Sequence, residues 1–285
     1  ATSGLFTSAR SSACSSTVSS TPTANTITSH ADVKQTESQD TRRPVHNDGV
    51  EELLSISEDS VEKFLRRWYG EPDLPARPLP AEVRVPARLR AWFELTSRWS
   101  ADICAVSGPL DPPELVAEDG KLIFWVDGPG SWEWGASLSG DDPPVFGREV
   151  DSDWVPAGES LSEFLLHVTV LETAIGASNQ CYAHGVPVER LSGIVSGYRA
   201  LPLPVLPCPS MDSRMFVGSD ALLQVSESVS DLTQPKGELF DVSVSVLVPA
   251  SIDEVIDRHP EIPWKRYSAV VPEGFSPDDL PGFLR

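Results

Sequence analysis

Cysteine is scarce in this sequence. Its four cysteines, Cys14, Cys104, Cys181 and Cys208, are widely spaced among 285 residues and form no C-x-x-C pair. That spacing argues against a disulfide framework and for a reducing compartment, so a cytoplasmic location is expected. Basic residues are also few. Lys and Arg total 22 against 42 Asp and Glu, a formal net charge of −20 with a pI near 4.5. A surface of that sign repels nucleic acid and anionic membranes, so neither is an expected partner; it suits solubility or a basic partner. No apolar run approaches the roughly 18–20 residues a membrane helix needs.

The motifs of common catalytic centres are missing as well. Neither G-x-x-x-x-G-K-[ST] nor a G-x-G-x-x-G after a strand occurs. Gly193-Ile-Val-Ser-Gly197 places its serine one position late for a nucleophile elbow and reads as a turn or helix end. The five histidines, His30, His46, His167, His184 and His259, share no metal-ligand spacing. Acidic pairs do occur: Glu118-Asp119, Asp141-Asp142, Asp151 with Asp153, and Asp278-Asp279. Paired carboxylates can serve acid–base chemistry or Mg²⁺. Here they lie in Gly-, Pro- or Ser-rich loops and read as solvated turns. No cofactor and no metal is expected.

What is present falls into two regimes. Sixteen of the first thirty residues are Ser or Thr, and residues 1–54 show no apolar periodicity, so they read as a disordered tail. A transit peptide fits that stretch weakly, with Arg10 its lone base in the first thirty residues. Ala1 in place of Met reads as processing or truncation. Residues 55–275 carry the folded pattern, and 276–285 form a second tail. A first helix is predicted over 58–69, with Val61, Phe64, Leu65 and Trp68 as its stripe, Ser55 and Glu58 as a capping box and Gly70 as its stop. A second covers 86–97, with Leu89, Trp92, Phe93 and Thr96 inward. Ser160 to Ile175 is the strongest helix, capped by Ser160 and Glu163 and ended by Gly176.

The strand signals cluster in hairpins. Leu122 to Val126 leads through the turn Asp127-Gly-Pro-Gly130 into a second strand with Trp132, Trp134 and Ala136 on one face and Glu133 on the other. Residues 143–146 and 153–155 read as short edge pieces. A connector follows, its stretch Leu201-Pro-Leu-Pro-Val-Leu-Pro-Cys-Pro209 extended; the PxxP at Pro204 to Pro207 has a second reading as a ligand for an aromatic groove. A hairpin is expected at 215–225, then a strand over 238–248 with valines on one face and a wet face opposite. Ser251 and Glu254 should cap a last short helix. Clustered hairpins favour an α+β fold over a doubly wound parallel sheet.

The order of these pieces carries a resemblance. Trp68-Tyr69 precedes a proline-punctuated linker and Val85-Pro-Ala-Arg-Leu-Arg-Ala-Trp-Phe-Glu-Leu95. Then come Gly120-Lys-Leu-Ile-Phe-Trp-Val-Asp127, Ser131-Trp-Glu-Trp-Gly135, Asp142-Pro-Pro-Val145, Trp154 and Ser160-Leu-Ser-Glu-Phe-Leu165. Over residues 58–270 this order resembles the SUKH superfamily, the Smi-one/Knr-four-like or cell-wall-assembly-regulator-like domains. The tail and the Cys181–Pro209 connector fall outside the pattern. The resemblance implies a curved, mainly antiparallel sheet packed by helices in a single domain, and no catalytic centre. It also implies that Trp125, Trp134, Gly135 and Trp154 are scaffold.

Bacterial members of that family are similar to immunity proteins, which neutralise a toxin, often a nuclease, by direct binding. The expected function is therefore a non-catalytic protein-binding module facing a basic toxin domain. The alternatives are a regulatory scaffold of the cell-wall-assembly-regulator type and a metal-dependent enzyme using loop carboxylates. Tryptophan is both a core residue and a hot-spot residue, so Trp132 has two readings. The candidate partner-binding residues are Asp127, Trp132, Glu133, Asp141 and Asp142, with the tip up to Gly130.

Overall fold

The computed structural model describes residues 51–208, 212–228 and 237–268. The expectations for residues 1–50 and 276–285 lie outside that range. Three helices open the described chain: α1 (Glu51–Leu54), α2 (Ser60–Tyr69) and α3 (Ala87–Thr96). Six strands follow: β1 (Gly108–Pro109), β2 (Val116–Glu118), β3 (Lys121–Val126), β4 (Trp132–Ser137), β5 (Pro144–Glu149) and β6 (Val155–Ser160). Then come α4 (Leu161–Gly176), β7 (Asn179–Pro187), α5 (Val188–Val195), β8 (Arg199–Ala200), β9 (Arg214–Val217), β10 (Ala221–Glu227), β11 (Leu239–Val246), α6 (Ala250–Arg258) and β12 (Lys265–Ser268).

The fold is α+β, and every strand pairing among the described residues is antiparallel. There are two open sheets rather than the expected one. The first has the order β1-β3-β4-β5-β6, with β2 sharing the β1 edge of β3; the second runs β12-β7-β11-β10-β9-β8. Helix α4 packs against both, touching β5 and β6 on one side and β10 and β11 on the other. Residues Phe164 to Ala174 are buried without a break, because sheets and helices surround α4. The stripe expected on this helix is real, but the helix is buried all round, as its apolar composition requires. Helices α2 and α3 cover α4 from a further side. On the second sheet, Val242, Val244 and Val246 face the other way and pack with Ile194, Ile252 and Val255 of α5 and α6.

Several local expectations are corrected. The core reaches upstream of residue 55, since Leu53 of α1 is buried in the main cluster and Arg67 pairs with Glu52 at 2.9 Å. The Ser55–Glu58 box does not form. The lead-in is held by Ser60, whose hydroxyl accepts from Ser57 N at 2.8 Å, so α2 starts later. The Ser251–Glu254 box is also absent, because α6 begins behind Pro249 with Ser251 inside its first turn. Ser160 and Glu163 do form both bonds of a capping box. Residues 144–149 are not an edge piece; β5 pairs with β4 and β6, and its proline stands at the first position, where no ladder donor is lost. The connector after α4 contains β7 and α5. The wet face of β11 is partly dry, since Ser245 is buried and donates to the Ala174 carbonyl at 2.7 Å.

Candidate partner-binding surface

The β3–β4 hairpin shows why its tryptophans are divided between roles. A β-bulge between Ile123 and Trp125 shifts the register, so Trp125 stands opposite Trp134 and both turn toward α4. There Phe164 meets three rings: Phe124 at 5.6 Å, Trp125 at 6.3 Å and Trp134 at 5.7 Å between centroids. Trp125 and Trp134 are fully buried, as the motif order implied. Trp132 is half-buried and rests on Trp134 with centroids 6.3 Å apart. Gly147 lies beneath the pair; a Cβ there would meet Trp132 Nε1 at 2.8 Å and Trp134 Nε1 at 3.0 Å. Gly147→Ala should therefore cost about 1–3 kcal/mol through overpacking. An unchanged urea midpoint in that variant would contradict this packing.

The opposite face of the same sheet carries a charged and aromatic lattice. The Trp154 ring packs on Gly135, where a Cβ would come within 3.0 Å of Cη2. This close approach is the physical reason glycine follows Trp134. Arg148 stacks over Trp154 with its guanidinium carbon 4.2 Å from the centroid, and Lys121 Nζ lies 4.7 Å from the Phe146 ring. Arg148 is buried and donates to Glu133 at 2.7 Å and Glu118 at 2.9 Å.

The five candidate residues are not brought together. Asp127 is not an exposed tip residue: it is 5% exposed, and its carboxylate accepts from Trp132 N at 2.9 Å and Ser131 Oγ at 3.0 Å. It organises the turn, as Asp does where it bonds its own backbone. Gly128, Pro129 and Gly130 are the exposed part of the tip. Asp127→Ala should cost on the order of 1–2 kcal/mol of stability; binding of a partner that survives this change would show that the carboxylate is purely architectural. Glu133 is mostly covered and held by Arg148. Asp141 and Asp142 are exposed, but they follow the far end of β4, about 17 Å along the strand from Trp132 at ~3.4 Å per residue.

Asp142 instead belongs to a second place. Its Oδ1 accepts from Ser162 N at 2.7 Å and its Oδ2 from Ser162 Oγ at 2.5 Å, so it binds the first turn of α4. Beside it a cleft of about 360 Å³ opens between the α2 lead-in, α3 and the start of α4. Ile56, Val61, Ala91, Trp92, Leu95 and Leu166 supply its apolar wall; Glu58, Asp142 and Glu163 supply acid at its rim. Arg88 is the one cation in the lining, and it is ion-paired with Glu58. The hydrogen bond that Arg88 donates to Glu58 raises its pKa; burial opposes this, and the fields of Glu58, Asp142 and Asp141 add to the rise. Sequence reading overlooked this cleft. Its signal was Arg88, Ala91 and Leu95 at i, i+3 and i+7, a second flank of α3 beside the inner stripe.

Other polar groups are consumed by the architecture. Glu172 is buried on α4 and accepts from Val106 N at 2.7 Å, Ser107 N at 3.1 Å and Ser107 Oγ at 2.5 Å. Trp125 Nε1 in turn donates to Ser107 Oγ at 3.0 Å. His167 Nδ1 lies 3.0 Å from Glu159 Oε1, with both side chains buried. Burial pushes the Cys104 thiol up to about 12 and the Cys181 thiol up to about 11. Neither is a thiolate near neutral pH, so both should resist iodoacetamide at pH 8 in the native protein. Peptide mapping that finds either one alkylated as fast as in urea would contradict this.

Among the described residues, no group of three or more His, Cys, Asp or Glu is arranged to hold a metal ion. No described helix is long and apolar enough to cross a membrane. No family model, no curated protein and no solved structure matches the chain.

Proposed function

We propose that this chain is a non-catalytic protein-binding module that masks a basic, nuclease-type toxin domain by direct contact, in the manner of SUKH immunity proteins. The observation that carries this reading is the distribution of charge. Residues 111–153 hold eleven carboxylates against Lys121 and Arg148, close to half of the net −20. Of those eleven, Asp127 and Glu133 are turned inward; the other nine are exposed. An acidic stretch of that density accelerates encounter with a basic partner and rejects acidic ones. The order of motifs quoted above supplies the family half of the reading. The sparse, widely spaced cysteines suit a cytoplasmic setting.

The test is co-purification with any toxin-like domain that is encoded beside this chain. A complex that forms at micromolar concentration, weakens with added salt and blocks the toxin's activity supports the reading. No complex at that concentration, or a neighbour with no toxin domain, counts against it. A rise in melting temperature with Mg²⁺, Mn²⁺ or Ca²⁺ would favour the carboxylate enzyme instead.

A further inference from the structure

The cleft at the α2–α3–α4 junction combines three properties that select a ligand. It is concave and, at about 360 Å³, near the lower end of the volumes of ligand pockets. It is walled by Val61, Ala91, Trp92, Leu95 and Leu166, which reward an apolar group. Its rim carries Glu58, Asp142 and Glu163, while Arg88 is already engaged by Glu58. The nearby start of α4 offers nothing to an anion. Ser160 N donates to the Glu163 carboxylate, Leu161 N to the Pro143 carbonyl, Ser162 N to Asp142 and Glu163 N to Ser160 Oγ. A phosphate or carboxylate would find no free first-turn donor and would meet three carboxylates.

We infer that this cleft is the anchor pocket for a segment of a protein partner that presents one bulky apolar side chain flanked by lysine or arginine. The inference rests on the protein-binding reading and names the place and chemistry of contact. A cleft of this size seats a large side chain together with part of the segment that carries it, as interface anchors do. Flanking cations then reach Asp142, exposed at the rim, and compete with Arg88 for the exposed Glu58. Rim charges of this kind set encounter rate and selectivity more than raw affinity.

The test uses the full chain and NMR detection of the indole N–H of Trp92, whose ring contributes to the cleft wall while its N–H donates to the buried Thr169 Oγ1 at 3.0 Å and so reports on ring displacement. Probes are acetyl-Lys-Leu-Phe-Lys-amide, its Glu-for-Lys counterpart and 4-phenylbutylamine. At about 50 mM salt the lysine peptide should bind about tenfold more tightly than the glutamate peptide. Ala91→Trp, which places an indole in the cleft wall, should abolish the Trp92 response. Glu58→Gln with Asp142→Asn should reduce the preference below about threefold. Asparagine keeps an acceptor for Ser162 N, so this double variant stays informative if Ala91→Trp fails to fold.

Equal binding of the two peptides, or a response that survives in a folded Ala91→Trp, overturns the inference. Tighter binding of 4-phenylbutylamine than of the lysine peptide assigns the cleft to a small amine and also overturns it. So does self-association of the chain that Ala91→Trp removes. A basic protein captured equally by the wild type and Ala91→Trp would discard the cleft while leaving the protein-binding reading standing.

Discussion

Trp134→Ala should destabilise the domain by about 3–5 kcal/mol, and Trp132→Ala by well under that. Trp134 is fully buried against Phe164 and pairs across the strands with Trp125. Its removal would leave a void bounded by α4, which is itself packed on every side and has little freedom to collapse into it. Trp132 is half-buried at the strand's end, so truncation exposes its neighbours to water rather than opening a cavity. Its cost should be on the order of 1–2 kcal/mol. Urea denaturation of both variants with a common m value measures the difference. Equal losses would mean that both tryptophans are scaffold to the same degree, contrary to the burial described above.

Glu172→Ala should be comparably severe, at about 3 kcal/mol or more. The carboxylate is 1% exposed and receives three hydrogen bonds from Val106 and Ser107. Alanine removes the acceptor and strands the buried Ser107 donors, which costs more than their bonds contribute, while the exposed Val106 can turn to water. The Ser107 hydroxyl also accepts from Trp125, so the damage extends to the aromatic cluster around Phe164. Glu172→Gln keeps one acceptor oxygen and should fall between wild type and alanine. A loss under about 1 kcal/mol for alanine would show that water replaces the carboxylate, and the network would then be incidental to stability.

Trp134 and Glu172 also show where sequence reading succeeds and where it stops. The helix around Ser160 was legible because a capping box, an apolar stripe and a terminal glycine all agreed. The first-sheet hairpin was legible because Asp127-Gly-Pro-Gly130 is a dense turn signal between apolar strands. Glu172 was not: a lone Glu in an apolar helix looks like a solvated position until the loop at Val106 and Ser107 folds over it. β7 was overlooked because Asn179–Pro187 mixes Gly185 and polar residues and lacks clean alternation. The Ser55–Glu58 motif misled because Glu58 turns to Arg88 and Ser60 takes over the turn.

The candidate surface was harder to read, for the same reason. Asp127, Trp132 and Glu133 share a hairpin with an acidic tip, yet the first bonds its own turn and the last bonds Arg148. Sequence shows which residues carry charge, but not whether a partner inside the fold has already taken it. Asp141 and Asp142 are accessible, and Asp142 lines the cleft with residues of α3 and the α2 lead-in, which lie far from it in sequence.

We propose above that an acidic surface of this chain binds a basic toxin domain. The decisive measurement is calorimetric titration of a toxin-like domain encoded beside this chain, if one is found there, into the full chain from about 50 to 300 mM salt. The expected result is an interaction of micromolar or tighter affinity that weakens as salt rises, with the toxin's activity lost in proportion to the complex formed. Absence of heat at micromolar concentrations, or an affinity indifferent to salt, would contradict it.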